Sequence, residues 1–270
     1  MTRIQIKFTA LSLLFVLTAC GKSHDAARAE LAQMNISYTE RAFIESARQG
    51  NATAVALFID AGMNPETKNT AGQSALEAAV LANQIDTVKV LLERGADVNA
   101  KNKSNGTALM NAVWKGHTEI VDLLLARRAD FEVKDDRGMT ALMFAAWENR
   151  TDTLKVLLDK GSNVDARDEN GWTAMMRAAV RGHTECMLML LEKGADVNAA
   201  STEGDTALIR AAQGGHIETV KTLLDRGADV SAVDREGKTA LEVAKEHGRA
   251  EIIQLLRDVD RSTNKDTGPR

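Results

Sequence analysis

The chain has 270 residues, of which 44% are hydrophobic, 27% charged and 4% aromatic, with two prolines and two cysteines. That composition excludes a collagen-like, mostly disordered or disulfide-built protein and allows a sizeable core. With 34 basic against 38 acidic side chains the net charge is -4, so no field exists to gather phosphate backbones, and nucleic acid is not an expected partner.

At the N-terminus, Arg3 and Lys7 precede an apolar run from Phe8 to Ala19. The run is too short to span a bilayer but suits the apolar core of a secretory signal. It ends in Leu17-Thr18-Ala19-Cys20, which resembles a bacterial lipobox. The resemblance implies that residues 1–19 are a signal peptide, that Cys20 is lipid-modified, and that the mature protein is anchored in the periplasm at the inner or outer membrane. Gly21 lacks the retaining Asp of many inner-membrane lipoproteins, yet Cys20-Gly21-Lys22-Ser23 is similar to the start of inner-membrane lipoproteins in pseudomonads, so both membranes stay open. Lipidation of Cys20 would leave Cys186 without an intramolecular partner. Residues 20–35 read as a short, partly helical tether.

From residue 36 one unit recurs. Ser74-Ala75-Leu76, Thr107-Ala108-Leu109, Thr140-Ala141-Leu142, Thr173-Ala174-Met175, Thr206-Ala207-Leu208 and Thr239-Ala240-Leu241 begin 33 residues apart. Gly62, Gly95, Arg128, Gly161, Gly194 and Gly227 keep the same period. Two markers in phase describe an array, with units starting near 36, 69, 102, 135, 168, 201 and 234 inside a domain spanning 36–260, and a polar tail over 261–270. In each unit the Thr is placed to cap a short helix whose Ala-Leu-x-x-Ala-Ala face is apolar and small. A second helix carries a leucine pair, such as Leu124-Leu125, and ends at the recurring Gly.

The pattern resembles the ankyrin repeat in its Gly-His-Thr-Glu, Leu-Leu-Leu and Gly-Ala-Asp-Val-Asn-Ala segments. The resemblance implies an α repeat solenoid of seven helix-turn-helix units with β-hairpin loops. One departure is systematic: where the family has Thr-Pro-Leu-His, every triplet here has Ala in place of Pro and is followed by Glu77, Met110, Met143, Met176, Ile209 or Glu242 in place of His. Losing Pro removes pre-organisation of the first turn, while Ala is the best helix former. The ends differ from the middle, as a solenoid requires. Unit one has Arg41 in the Thr position, Thr39 where Gly is expected, and Phe43, Phe58 and Ile59 for a bulkier core; unit seven turns polar with Glu242, Lys245, Glu246 and Arg257.

No nucleophile, base and oxyanion site converge in the pattern, so a non-enzymatic protein without cofactor or metal is expected. His117, His183 and His216 recur after a Gly, where the ankyrin family uses His to tie turns together. Equivalent positions in neighbouring units of that family lie roughly 10 Å apart, too far to share a zinc ion at about 2 Å per ligand. Cys186 reads as a small buried helix residue; a redox-sensing thiol there needs a depressed pKa. Asn35, Asn51, Asn105 and Asn149 head Asn-x-Ser/Thr sequons but read as turn residues.

The tryptophans break the consensus where the fold does not require it. Trp114 and Trp147 sit at one repeat position, at the end of the first helix, where Leu81, Val180, Gln213 and Glu246 stand elsewhere. Trp172 and Met139 share a loop position just before the first helix. The resemblance places both positions in the family's concave groove. Trp114, Trp147, Trp172 and Met139, ringed by Lys115, Arg177, Arg181 and Arg210 and interrupted by Glu148, are therefore the candidate protein-binding patch. The basic neighbours lead us to expect an acidic partner segment. The alternative is that the indoles stack on each other as reinforcement. Met110, Met143 and Met176 are expected in the core. The expected function is a monomeric, membrane-tethered protein-interaction scaffold. Periplasmic ankyrin proteins associated with catalase and peroxide defence suggest one partner class; an inhibitor or immunity protein blocking a toxin or hydrolase is the alternative.

Overall fold

The computed structural model describes residues 23–266, with side chains to residue 259. Residues 1–19, read as a signal peptide, and Cys20 lie outside the described residues. Within them the chain is all helical, with fifteen helices and no strand. The described residues divide into two compact units, one ending at Asp97 and the other starting at Val98.

The first unit contains α1 (His24–Gln33), α2 (Glu40–Arg48), α3 (Ala52–Asp60), α4 (Ala75–Leu81) and α5 (Ile85–Glu93). Helices α2 and α4 pack together in one layer, and α1, α3 and α5 pack in order in a second. Helix α1 covers the end of that layer: Ala27 and Leu31 are fully buried, and the Ser23 hydroxyl caps it by accepting from Ala26 N at 3.3 Å. The stretch read as a tether is therefore packed from its capping residue onward. Bulk fills the core beside it. Phe43 and Phe58 are buried, Tyr38 stacks on Phe58 at 5.7 Å between centroids, and its hydroxyl donates to the Ala61 carbonyl at 3.0 Å. Thr39, rather than a residue in the usual Thr register, caps α2 by accepting from Ala42 N. The helix accordingly starts earlier than its relatives, and Arg41 needs no capping role.

The second unit contains α6 (Ala108–Lys115), α7 (Thr118–Ala126), α8 (Ala141–Trp147), α9 (Thr151–Asp159), α10 (Ala174–Arg181), α11 (Thr184–Glu192), α12 (Ala207–Gly214), α13 (Ile217–Asp225), α14 (Ala240–Glu246) and α15 (Ala250–Asp266). Even-numbered helices pack on one another in one layer, odd-numbered ones in a second, and each even helix packs on the odd helix that follows it. Thr107, Thr140, Thr173, Thr206 and Thr239 cap the even helices as the spacing predicts, each hydroxyl accepting a backbone N–H three residues on. Such caps are worth about 1 kcal/mol each. Met110, Met143 and Met176 are buried, as is the first leucine of each pair, Leu124, Leu157, Leu190 and Leu223. Glu242, Lys245, Glu246 and Arg257 are exposed, a polar face at the end of the array. Helix α15 continues to Asp266, into the segment read as a tail.

The loops are not strands. Two isolated antiparallel bridges occur, Lys68 with Ser74 in the first unit and Val233 with Thr239 in the second. The reason lies in a polar residue that recurs at 69, 102, 135, 168, 201 and 234. Its N–H donates to the carbonyl four residues on, as from Asp135 to Met139 at 3.1 Å and from Asp168 to Trp172 at 3.0 Å. Its side-chain oxygen accepts the N–H groups two and four residues on, closing a turn. That closure leaves the loop no free edge to extend into a strand.

Candidate protein-interaction groove

Helices α6, α8 and α10 and the loops before them enclose an open groove of about 660 Å³. Three devices position its walls. First, Asp135 Oδ1 accepts from Arg137 N and Met139 N at 2.9 and 2.8 Å, which fixes Met139 against the start of α8. Second, consecutive loops are joined by single backbone bonds, Asp136 N to Ser104 O and Glu169 N to Arg137 O, at 3.0 and 3.1 Å. Gly138 permits that approach, because a Cβ there would stand 2.7 Å from Glu169 N. Third, the C-terminal carbonyls of the tryptophan-bearing helices are pinned by the following turn. Trp147 O accepts from His183 Nε2 at 3.1 Å, and Trp114 O accepts from Arg150 at 3.2 and 3.4 Å.

The expected turn histidines behave unequally. His216 Nε2 donates to Val180 O at 3.0 Å, paralleling His183, whereas His117 Nε2 is buried without a partner among the described residues. Arg150 and Arg249 occupy the same repeat position and reach the carbonyls of Trp114 and Gln213, a role the Gly-His pattern alone does not disclose. Burial holds the His183 pKa below the ordinary histidine value, opposed by its bond to Trp147 O. Among the described residues no group of three or more metal-capable side chains gathers.

The candidate patch divides into residues that face the groove and residues that brace it. Trp114 is 42% exposed and lines the groove with half-buried Trp147 and Phe144. Met139, 4% exposed, and Met110 form the floor beneath them. Arg177 also lines the groove; Trp172, Lys115 and Arg181 do not. Trp172 instead lies beside two guanidinium groups, Arg177 at 4.8 Å and Arg210 at 5.2 Å from its ring centroid. Arg177 and Arg181 lie 5.5 and 4.8 Å from the Trp147 ring, and Lys115 Nζ lies 4.2 Å from the Trp114 ring. Ring-to-ring contacts among the described residues involve Tyr38, Phe43 and Phe58. The indoles thus alternate with cations, each contact worth about 0.5–2 kcal/mol depending on desolvation.

Two of these cations are already neutralised. Arg177 donates to the carboxylate of Asp168, and Arg210 to that of Asp205, both carboxylates being almost wholly buried. The basic ring expected to attract an acidic partner is correspondingly weaker than the residue count suggests. The buried aspartates were missed because Asp168 reads as an ordinary turn residue. A signal was present in its 33-residue recurrence with Asp135 and Asp234.

Cys186 is buried on α11, its Sγ donating to Asn149 Oδ1 at 3.4 Å. Burial, helped by the charge of Glu185, pushes its pKa up to about 11, the opposite of what a redox-sensing thiol requires. Asn35, Asn105 and Asn149 adopt positive φ, and Asn51 caps α3, so the sequon asparagines serve as turn and cap residues.

The family model described as ankyrin repeats (3 copies) matches residues 10–102, 43–135, 109–201 and 198–267. No curated protein matches the chain.

Proposed function

The chain belongs to the ankyrin repeat family, and on that premise we propose that it is a non-enzymatic scaffold whose second unit binds a protein partner in the groove bearing Trp114. The observation that carries this reading is an indole 42% exposed over a buried methionine floor. Such a ring gains little from the fold and offers a large apolar face to a partner, the composition that dominates binding energy at interfaces. Hydrogen bonds within and between the loops hold the wall around it, which lowers the ordering cost that opposes association. The array comprises seven copies of the 33-residue unit, and the same reading assigns Cys20 as a lipid anchor in the bacterial periplasm. Ser23 caps α1, so Gly21 and Lys22 alone would separate the lipidated residue from the folded chain, a reach of about 10 Å.

The test compares chemical cross-linking in living cells of the native chain and a Trp114→Ala chain, with captured proteins identified by mass spectrometry. A protein captured by the native chain and lost from the variant, at equal abundance and stability, supports the groove. Identical capture by both chains overturns it. A captured toxin or hydrolase that is silenced stoichiometrically would make the scaffold an inhibitor; a captured peroxide-defence enzyme that stays active would make it a support for that enzyme.

A further inference from the structure

The ionic balance of the groove specifies its occupant more closely. This inference rests on the groove reading above and deepens it. The charged side chains lining the groove are Asp135, Arg137, Glu148, Glu169 and Arg177. Asp135 and Arg137 pair at 3.2 Å. Arg177 pairs with Asp168, which lies behind the lining. Glu148 and Glu169 have no cation within ion-pair range among the described residues, and both face the space beside Trp114 and Trp147. Lys115, Arg150 and Arg181 carry further positive charge nearby but outside the lining: Lys115 and Arg181 lie against indole rings, and Arg150 is turned to the Trp114 carbonyl. The interior of the groove is therefore apolar below and negative at its sides.

From this balance we propose that the groove receives an extended segment of a partner protein in which a lysine or arginine adjoins a large apolar side chain. The apolar side chain lies on Trp114 over Met110 and Met139, and the cation lies between the carboxylates of Glu148 and Glu169. Complementary charge fixes the register, and wrong partners meet like charge. An acidic segment, expected from the count of basic residues, would place its carboxylates against Glu148 and Glu169 with Arg177 already satisfied by Asp168.

All three tryptophans of the chain lie in or beside this site, so intrinsic fluorescence reports on it directly. The experiment selects binders from a library of random dodecapeptides on the full purified chain and titrates them by tryptophan fluorescence. The expected result is enrichment of peptides pairing Lys or Arg with an aromatic or aliphatic residue. Their affinity should fall roughly two- to fivefold for each of Glu148→Gln and Glu169→Gln, with circular dichroism unchanged. Enrichment of Asp and Glu, with affinity lost on Lys115→Met and Arg181→Met, would overturn the proposal while leaving the groove as a protein-binding site. Selection of no peptide, or of peptides whose affinity is indifferent to Trp114→Ala, would overturn the groove reading and this inference with it.

Discussion

Arg177 donates from its guanidinium to the buried carboxylate of Asp168, nine residues earlier and across the turn that carries Trp172. The same carboxylate accepts the N–H groups of Asn170 and Trp172 at 2.8 and 2.9 Å, so one side chain closes the loop and anchors the first helix after it. Breaking a buried pair leaves a charge without compensation. Arg177→Met is expected to cost about 3 kcal/mol. The double variant Arg177→Met/Asp168→Ala should lose less than the sum of the two singles, because the interaction is removed once. Urea denaturation of the four chains checks this; additive losses would show that the pair is not coupled.

Arg128 stands where other units have glycine, at φ +65°. A Cβ built at the equivalent Gly95, Gly161, Gly194 and Gly227 meets nothing within 4 Å, so the side chain fits and the cost is confined to the backbone. Arg128→Gly should stabilise the chain by about 0.5–1 kcal/mol, the relief of a left-handed residue less the added freedom of the unfolded glycine. A lowered urea midpoint would contradict this.

Cys186 should behave as a packing residue. With its pKa raised to about 11, roughly one thiol in ten thousand is ionised at neutral pH. In a Cys20→Ser chain, iodoacetamide at pH 8 is expected to label the denatured protein and spare the native one. Because the folded pKa lies above the unfolded value, the stability due to the neutral thiol is full below about pH 9 and declines as pH rises toward 11. A Cys186→Ala chain should show less of that alkaline decline, although it will be weaker at every pH for the lost packing.

His183 titrates with the opposite consequence. Burial lowers its folded pKa below 6.5, so the unfolded chain takes up the proton first as pH falls. The stability it contributes is complete above pH 6.5 and is lost as pH drops through the folded pKa. His183→Gln can still donate to Trp147 O, as Gln84 does to Arg48 O at 3.2 Å. It should flatten the fall in urea midpoint between pH 7 and 5, and an unchanged slope would refute the assignment.

Much of this arrangement is legible in the sequence because a period exposes it. Thr107 and Thr140 declare themselves as caps by recurring ahead of Ala-Leu, and the groove positions of Trp114 and Trp147 follow from their shared register. Other features escape for physical reasons. Thr39 takes over capping because its hydroxyl reaches Ala42 N from outside the register, a choice that only the built helix reveals. The turn lock is written in the recurrence of Asn102, Asp135 and Asp168, yet Asx residues are common enough in loops to hide a structural role. Trp172 shares its loop position with Met139, but the guanidinium groups of Arg177 and Arg210 occupy its surroundings and make it a brace. Sequence register gives position; which neighbour fills the space beside it depends on packing.

The central claim, that the groove rather than another face meets the partner, is tested most directly by placing a photoreactive residue at position 111 on α6, which lines the groove, and in a separate chain at position 119, exposed on α7. Irradiation in living cells should give a protein adduct from position 111 that disappears when Trp114→Ala is added, with no such adduct from position 119. The same adducts from both positions, or an adduct from position 119 alone, would contradict the account.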